Sequence, residues 1–374
     1  MTLWKLVRNS LRFYWRTHIG VALGVAISTA VIVGALVVGE SVRYSLKAIS
    51  LSKLGKIDFA MASQDRFFRA KLADDLEKEL GTPVVPALML NGIVINSDNN
   101  LRANQVQVFG IDDRFWKLRN ESKSNINTDG DFLIINERLS RHLKSKVGDE
   151  LLIRMEKTSL LPRDAPMSTD TDLSVSMRLA VNTVTPNLHL GDFSLQSSQV
   201  PPFNAFVPLS LLQEKVDLAD RANLILVGDS KANVSDLDEA LRKNWLIKDA
   251  DLAIQGTPQN NTIQLSTGRI FLDYPIVDVI KKIPSDKTKV LTYLVNEIRL
   301  KDRTTPYSMV SAIDPIDRIG KGISNIKDDE IIINSWLADD LNAKIGDIAN
   351  LTYFVFGENR KLTEQTTDFG RACE

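Results

Sequence analysis

The pattern of hydrophobic and polar positions changes sharply near the start of the chain. Residues 19–39 are 21 consecutive positions without a charge, IGVALGVAISTAVIVGALVVG. As an α-helix at 1.5 Å per residue they would be about 31 Å long, close to the hydrocarbon thickness of a bilayer. A single segment that crosses lipid must be helical, because unpaired backbone groups are too costly there. The pattern therefore predicts a transmembrane helix over residues 18–40.

The residues that flank this run predict its orientation. Four basic residues precede it, and the first acidic residue, Glu40, follows it. Because basic flanks stay in the cytoplasm, we expect the N-terminus inside and residues 41–374 outside. Aromatic and basic side chains together favour the headgroup level, so residues 1–17 are expected to form an interfacial elbow helix. The basic residues are Lys5, Arg8, Arg12 and Arg16, and the aromatic ones are Trp4, Phe13, Tyr14 and Trp15.

Two alternatives compete with a membrane span. A cleaved signal peptide has an apolar region of only about 7–15 residues and a small-x-small cleavage site after it. The run here is longer, and Val37-Val38-Gly39-Glu40 is a poor cleavage site. The second alternative is a buried helix of a soluble protein, for which a long uncharged run with a one-sided basic flank is unusual.

Small residues recur every fourth position inside the predicted span. One row is Gly20, Gly24 and Ser28, and a second is Ala22, Ala26, Ala30 and Gly34. Such rows let helices approach closely in lipid, although Gly and Ala are also simply common in membrane spans. If these rows form a packing surface, they pack against helices of another chain or against further spans. No later stretch of this sequence approaches 18 uncharged apolar residues, so it offers no second helix of this kind.

The chain after the span shows mixed helical and strand periodicity. Residues 40–54 read as the helix continuing outward, and residues 65–80 predict an amphipathic helix that Gly81 ends. Strands are predicted at 57–62, 84–96 and 104–111, which suggests helices on one face of an antiparallel sheet. The fold class expected is α+β, with one N-terminal transmembrane helix followed by a large extracytoplasmic domain of mixed βαβ and small β-rich subdomains.

The second half of the chain continues in the same style. Residues 223–228 predict a strand, and residues 235–246 predict a helix with Ser235 as its N-cap and Asp238 three positions later. Residues 290–300 predict a further extended segment. The polar, Pro-containing stretches 158–172 and 185–203 are expected to be loops.

An internal repeat is the clearest signal in this part of the chain. Residues 131–149 (DFLIINERLSRHLKSKVGD) match residues 329–347 (DEIIINSWLADDLNAKIGD) without a gap, at a constant offset of 198, and nine of the 19 positions are identical. Each copy predicts a strand, an Asn at a helix start, a short helix with Leu on one face, and a Gly-Asp turn into another strand. The repeat units are therefore placed near 131–157 and 329–356, as a duplicated subdomain or a pseudo-symmetric structure.

Composition and motifs exclude several kinds of chemistry. There are 46 basic and 47 acidic residues, so the net charge of −1 offers no footprint for nucleic acid. The chain has one cysteine, Cys373, three separated histidines, and no P-loop, G-x-S-x-G or H-E-x-x-H motif. The acidic groups Asp112-Asp113, Asp339-Asp340 and Asp170/Asp172 are expected to be solvated surface residues. We expect no catalytic, metal or cofactor site, and therefore no enzyme.

The order of these features resembles the FtsX/MacB-type ABC transporter permeases. The segments that carry the resemblance are VVGESVRYSL (37–46) and KIDFAMAS (56–63), after the first span. VLTYLVNEI (290–298), TPYSMVSAID (305–314) and EIIINSWLADDLNAKIGD (330–347) are similar to a subgroup with an enlarged extracytoplasmic domain. The resemblance covers most of the chain, and its motifs are structural rather than catalytic.

This resemblance implies a permease subunit in the bacterial inner membrane, with a porter-like, MacB-like periplasmic domain. Such permeases pair with a cytoplasmic ABC-type ATPase and transmit its movements to the periplasm. The family pattern continues with a strand and further spans where this sequence ends in GRACE, so the chain is expected to be truncated relative to it. The alternative is a single-span, membrane-anchored periplasmic binding or adaptor protein that is complete as it stands.

Overall fold

A computed structural model gives the structure of the chain in two compact units. Met1–Glu156 with Val175–Asp251 form the first, and Lys157–Ser174 with Leu252–Glu374 form the second. Helices and strands are mixed in both. The residues described are 3–120, 130–156, 174–186, 190–196, 198, 200–257, 262–269, 271–314, 327–356, 362–370 and 372–373.

Two helices open the chain. Helix α1 spans Leu3–Phe13, and α2 spans Trp15–Ser52, with a bend at Tyr14 between them. With 38 residues, α2 is about 57 Å long. In the described part of the chain it is the one helix long and apolar enough to cross a membrane, by length and composition. The predicted span lies inside it, and the helix continues without a break beyond Glu40, as predicted.

The first unit then alternates short helices with ten strands. Its helices are α3 (Leu72–Leu80), α4 (Asp113–Lys117), α5 (Glu137–Leu143), α6 (Leu209–Lys215) and α7 (Val234–Asn244), followed by a 3-10 turn at Ile247–Ala250. Its strands are β1 (Ile57–Ala62), β2 (Phe68–Arg69), β3 (Val84–Asn96), β4 (Leu101–Ile111), β5 (Leu133–Asn136), β6 (Glu150–Glu156), β7 (Ser174–Thr185), β8 (Phe203–Pro208), β9 (Arg221–Ala222) and β10 (Leu224–Gly228).

Six of these strands close into a ring. The order is β3-β4-β8-β5-β7-β6, and β6 pairs back onto the second half of β3. The first half of β3 pairs instead with β10, which pairs with β1 at the edge. All six strands send apolar side chains into one cluster inside the ring, where Leu139 of α5 and Leu212 of α6 join them.

The sheet differs in two ways from the antiparallel sheet that the sequence predicts. It is mixed, because β4 pairs in parallel with β8 and β5 in parallel with β7. Helices also cover more than one face, since Phe115 and Trp116 of α4 pack in a second cluster with Phe109 and Phe206. Alternate residues of β4 and β8 enter the ring cluster instead, so the two clusters lie on opposite sides of the sheet.

Two predicted helices have different starts in the structure. The helix predicted over 65–80 begins only at Leu72, because Phe68 lies in β2 and pairs with Ala222. Its C-cap Gly81 is left-handed, at φ 64°. The helix predicted from Ser235 begins at Val234, because the side chain of Asn233 accepts the amide hydrogens that cap it.

The second unit is built mainly of antiparallel strands. A four-stranded sheet has the order β14-β13-β16-β17, with separate pairs β11-β12 and β15-β18. Its strands are β11 (Leu252–Thr257), β12 (Thr262–Thr267), β13 (Val290–Leu300), β14 (Arg303–Ile313), β15 (Ile331–Ile332), β16 (Ile348–Phe356), β17 (Leu362–Gly370) and β18 (Ala372–Cys373). Its helices are α8 (Tyr274–Lys282) and α9 (Ser335–Leu341).

Both copies of the repeat have the same local structure. Asn136 and Asn334 cap α5 and α9 by accepting the amide hydrogens of residues three positions later, at 3.0 and 2.9 Å. Each helix is followed by a left-handed residue and then by a glycine at φ 96° or 97°. The Gly-Asp turn closes in both, since Asp149 and Asp347 accept the amide hydrogens of residues 146 and 344.

Candidate functional site at the base of the long helix

A tightly constrained site in the first unit is the place where α2 enters the folded domain. The helix ends at Ser52, and residues 53–56 connect it to β1. This connector is tied to three segments that are distant in the sequence: the end of α4, the segment 190–198, and the end of β10. The base of the helix is therefore fixed to the sheet by contacts with distant segments.

Gly55 makes the closest of these contacts. It is left-handed, at φ 60°, and a Cβ there would lie 2.5 Å from the backbone oxygen of Leu118 and 3.0 Å from Leu190 Cδ2. The next amide, Lys56 N–H, donates to the same Leu118 oxygen at 2.8 Å. A side chain at position 55 would therefore clash with backbone that cannot easily move.

The end of β10 holds the other side of Lys56. The amide of Asp229 donates to the Lys56 carbonyl at 3.1 Å, and the two side chains form an ion pair at 3.6 Å. Gly228 is also needed for close packing, because a Cβ there would lie 2.4 Å from Leu118 Cδ2. The connector is thus clamped between Leu118 and the end of the strand.

The last residues before Gly55 are anchored by burial. Lys53 is only 6% exposed, and its ammonium donates to the carbonyl of Ser198 at 2.9 Å. Leu54 packs on the aromatic cluster on the outer side of the ring. Neighbouring rings in that cluster lie 5.1–5.7 Å apart between centroids, in Phe109, Phe115, Trp116, Phe193 and Phe206. Such a cluster is a rigid support for the helix base.

A buried carboxylate lies close to Lys53. Asp192 is 3% exposed and accepts a hydrogen bond from Asn136 Nδ2 at 3.0 Å. Burial raises the pKa of the Asp192 carboxyl, while the hydrogen bond from Asn136 and the positive charge of Lys53 act in the opposite direction. The charge of Lys53 at the base of α2 therefore acts on the carboxylate that Asn136, the N-cap of α5, holds by a hydrogen bond.

The residues that the sequence predicts for helix packing are not brought against any part of the chain that the structure describes. All seven lie on exposed surface of α2, and nothing is within 4 Å of a Cβ placed at Gly20, Gly24 or Gly34. At 3.6 residues per turn the two rows face directions about 140° apart. Their packing role stays a prediction, for Gly20, Gly24, Ser28, Ala22, Ala26, Ala30 and Gly34.

Two residues of the predicted acidic groups have structural partners. Asp112 caps α4 and pairs with Arg114 at 2.7 Å, and Asp340 accepts a hydrogen bond from Thr305. Asp170 and Asp172 lie outside the described residues. Within the described ranges, no three His, Cys, Asp or Glu side chains are placed to hold a metal ion.

The sequence predicts the helix up to residue 54, directly before Gly55, whereas the structure ends it at Ser52. The contacts of Gly55 were not predicted. Leu118, Leu190 and Asp229 are distant in the sequence and carry no motif. The sequence feature that could have indicated this contact is a pair of glycines. Gly55 follows a predicted helix, and Gly228 ends a predicted strand. Their proximity depends on β1 pairing with β10, which periodicity does not reveal.

Comparisons with known proteins give structural similarities only. No family model matches the sequence, and no curated protein matches it. The chain is similar to the periplasmic region of MacB from Actinobacillus actinomycetemcomitans, with 12% identity and a TM-score of 0.34, over 60% of this chain and 92% of that one. It is also similar to the extracellular domain of the noncanonic ABC-type transporter YknZ from Gram-positive bacteria, with 13% identity and a TM-score of 0.32, over 56% and 97%.

Proposed function

We propose that this chain is a permease subunit of an ABC transporter of the FtsX/MacB mechanotransmission type. In this role α2 crosses the bacterial inner membrane with its N-terminus in the cytoplasm, and the two compact units lie in the periplasm. A cytoplasmic ATPase subunit supplies the energy, and the chain itself hydrolyses nothing. The small-residue rows of α2 pack against other permease copies or further spans.

The observation that carries the proposal is the continuity of α2 from an apolar span to a clamped base. The helix runs from Trp15 to Ser52 as one element, and only three residues later Gly55 is locked against Leu118. A lipid anchor alone needs no such joint, since a flexible linker would serve equally well. A helix that must move a domain needs a stiff connection to that domain.

The sequence around the joint supports the same assignment. The exit GESVR (39–43) and the strand IDFAMA (57–62) are the segments that resemble the permease family, and they lie on either side of the clamp. The basic flank before the span agrees with a cytoplasmic N-terminus. The two units after it contain no recognised catalytic motif.

Orientation is tested with single cysteines in a Cys373→Ser background. Asn9→Cys probes the N-terminal side, while Val147→Cys and Ile345→Cys probe the two units at positions 62% and 74% exposed. An impermeant maleimide added to whole spheroplasts should label positions 147 and 345 and leave position 9 unlabelled until the membrane is opened. Labelling of position 9 alone, or release of the chain by alkaline carbonate, would overturn the proposal.

The partner is tested by purifying the full chain from native membranes in mild detergent. If the chain is a permease subunit, vanadate-sensitive ATP hydrolysis should co-purify with it. Gly24→Lys, which disrupts α2, should abolish that co-purified activity. If the chain is a single-span adaptor, it should have the same membrane topology, but no ATP hydrolysis should co-purify with it. The two functions therefore differ in one measured activity.

A further inference from the structure

Helix α1 has an apolar side and a basic side. At 3.6 residues per turn, its apolar side chains fall within about 180° around the helix axis. They are those of Leu3, Trp4, Leu6, Val7, Leu11 and Phe13. The opposite side carries Lys5, Arg8 and Arg12, which lie within about 60° of one another. The chain has no acidic residue before Glu40. The polar side of α1 is therefore purely positive in its charges.

The apolar side of α1 is uncovered in the structure. No residue of α1 is buried, and its apolar side chains named above are 50–84% exposed. The folded part of the first unit begins at the other end of α2, a helix of 38 residues. A helix of that length is about 57 Å long. It keeps the folded part of the unit away from α1, so something else must cover the apolar side.

The connection to α2 places α1 beside the apolar span. Tyr14, between the two helices, has a ψ of 23° instead of the helical value, so the chain changes direction there. Hydrogen bonds continue on both sides of the bend, from the Tyr14 amide to the Ser10 carbonyl at 2.9 Å and from the His18 amide to the Tyr14 carbonyl at 3.0 Å. The uncharged run begins at Ile19, about 9 Å along the helix from Phe13. A bilayer around that run is therefore within reach of α1.

The two sides of α1 fit different layers of a membrane. The apolar side of an in-plane helix enters the boundary between headgroups and acyl chains, and long basic side chains extend to the phosphates. A neutral membrane would be complementary to the apolar side only. Positive charge on the other side fits a negatively charged leaflet, where each Lys or Arg strengthens binding by about fivefold.

We propose that α1 binds anionic phospholipids as a helix in the plane of the cytoplasmic leaflet. Its apolar side enters the leaflet, and Lys5, Arg8 and Arg12 bind the phosphate groups of the lipids. An interfacial helix is expected from the sequence, and the basic side assigns its partner, the anionic headgroup. The side of the membrane rests on the orientation of α2 in the proposed function, whereas the choice of lipid does not.

The test uses the full chain reconstituted into vesicles of equal parts phosphatidylcholine and phosphatidylglycerol. In a Cys373→Ser background, Val7→Cys or Asn9→Cys carries an environment-sensitive fluorophore. Val7 lies on the apolar side, and Asn9 lies about 160° away from it. Bromine atoms, which quench the fluorophore on contact, are placed on the acyl chains of one lipid or of the other.

Position 7 should be quenched at least about twofold more strongly by brominated phosphatidylglycerol than by brominated phosphatidylcholine. Position 9 should instead be quenched by iodide added to the water, because it lies on the polar side. Raising the salt to 1 M should remove most of the difference between the two lipids, since charges are then screened beyond about 3 Å.

A matched pair of double variants separates the basic side of α1 from positive charge elsewhere. Arg8→Gln with Arg12→Gln removes two charges and keeps good helix formers. The two brominated lipids should then quench position 7 almost equally, because the apolar side still enters the leaflet. Arg43→Gln with Lys47→Gln removes two charges from exposed positions of α2 beyond the span. That control should leave the preference for phosphatidylglycerol unchanged.

Three results would overturn the proposal. One is equal quenching of position 7 by the two lipids in the parent chain. Another is an equal effect of the two double variants. The third is a position 7 that is shielded from iodide but quenched by neither lipid, which would mean that protein covers the apolar side.

Failure of the transporter assignment is recognised separately. Maleimide labelling of positions 147 and 345 reports the orientation of α2, and co-purified ATP hydrolysis reports the partner. A reversed orientation would leave the lipid preference measurable, because both leaflets of the vesicles have the same composition.

Discussion

Gly55 lies against the backbone oxygen of Leu118 so closely that any Cβ would be 2.5 Å from it. The same residue is left-handed, so a side chain would be strained even in free space. We expect Gly55→Ala to lower the free energy of unfolding of the first unit by about 2–4 kcal/mol, through strain and a clash with fixed backbone. Urea unfolding of the full chain in detergent, followed by the fluorescence of buried Trp116, measures this.

Gly81 is the matched control for that variant. It has nearly the same backbone conformation, at φ 64°, but nothing lies within 4 Å of a Cβ placed there. Gly81→Ala should therefore cost only about 1 kcal/mol, the conformational part. Equal effects of the two substitutions would show that the contact with Leu118 does not hold the base of α2.

A second prediction concerns the most buried ion pair of the first unit. Arg69 and Asp249 form two side-chain hydrogen bonds of 2.9 Å, and the Asp249 side chain is fully buried. Asp249→Ala leaves the guanidinium without this partner, so we expect a loss of about 3–5 kcal/mol in the free energy of unfolding. Chemical denaturation at pH 7 is the measurement.

The exposed pair of Lys243 and Glu79 provides the comparison. Its atoms are 2.7 Å apart, but the two side chains are 65% and 38% exposed. Lys243→Ala should cost less than about 1 kcal/mol, because solvent screens an exposed pair. The prediction for Asp249 is wrong if the two variants are destabilised to the same extent.

Local patterns predicted the elements of this fold better than their arrangement. Strands β1, β3 and β13 have the predicted bounds, because long apolar or alternating runs bounded by Gly and Pro are strong local signals. The helix predicted from residue 65 was too long, since Phe68 fits a helical face but is held in β2 by Ala222. Tertiary pairing of this kind overrides local preference.

The sequence predicted the contacts of the candidate site less well than the helices and strands around it. The apolar run of α2 and the glycine after it were visible, but Leu118 and Leu190 become neighbours of Gly55 only when the ring closes. The ring itself was hidden because the paired residues of β4 and β8, such as Val106 and Phe203, are 97 positions apart and carry no motif. Only the nine identical positions of the repeat carried long-range information, and of the six ring strands they include β5 alone.

The buried carboxylate at the base of α2 predicts a dependence of stability on pH. Burial raises the pKa of Asp192 in the folded state above its ordinary value. Its contribution to stability is therefore full below the ordinary carboxyl pKa and is lost as the pH rises through the folded pKa. Asp192→Asn keeps an acceptor for Asn136 and removes the buried charge.

We expect Asp192→Asn to be more stable than the parent at pH 7 and to lose most of that advantage at pH 3. Urea midpoints at intervals of half a pH unit between pH 3 and pH 7 would show it. Asp98→Asn is a suitable control, because that carboxylate lies on an exposed turn. The role given to burial would be contradicted if the urea midpoints of the parent and of the Asp192→Asn variant changed with pH in the same way.

The last prediction uses the two copies of the repeat as controls for each other. Asn334→Ala removes the cap of α9, the one hydrogen bond of this side chain among the described residues, so α9 should lose about 1 kcal/mol of local stability. Asn136→Ala removes the same cap and also leaves the Pro202 carbonyl and the Asn204 amide without this partner. Because each buried polar group left unpaired costs about 1–3 kcal/mol, α5 should lose about 3 kcal/mol or more.

Native-state hydrogen exchange of the Ser145 and Ala343 amides, which bond to the carbonyls of Ser140 and Ala338, reads out the two helices separately. The difference between the variants reflects the contacts of Asn136 with the backbone at the start of β8. Equal losses of stability in the two helices would show that Asn136 acts as a helix cap alone and does not hold β8.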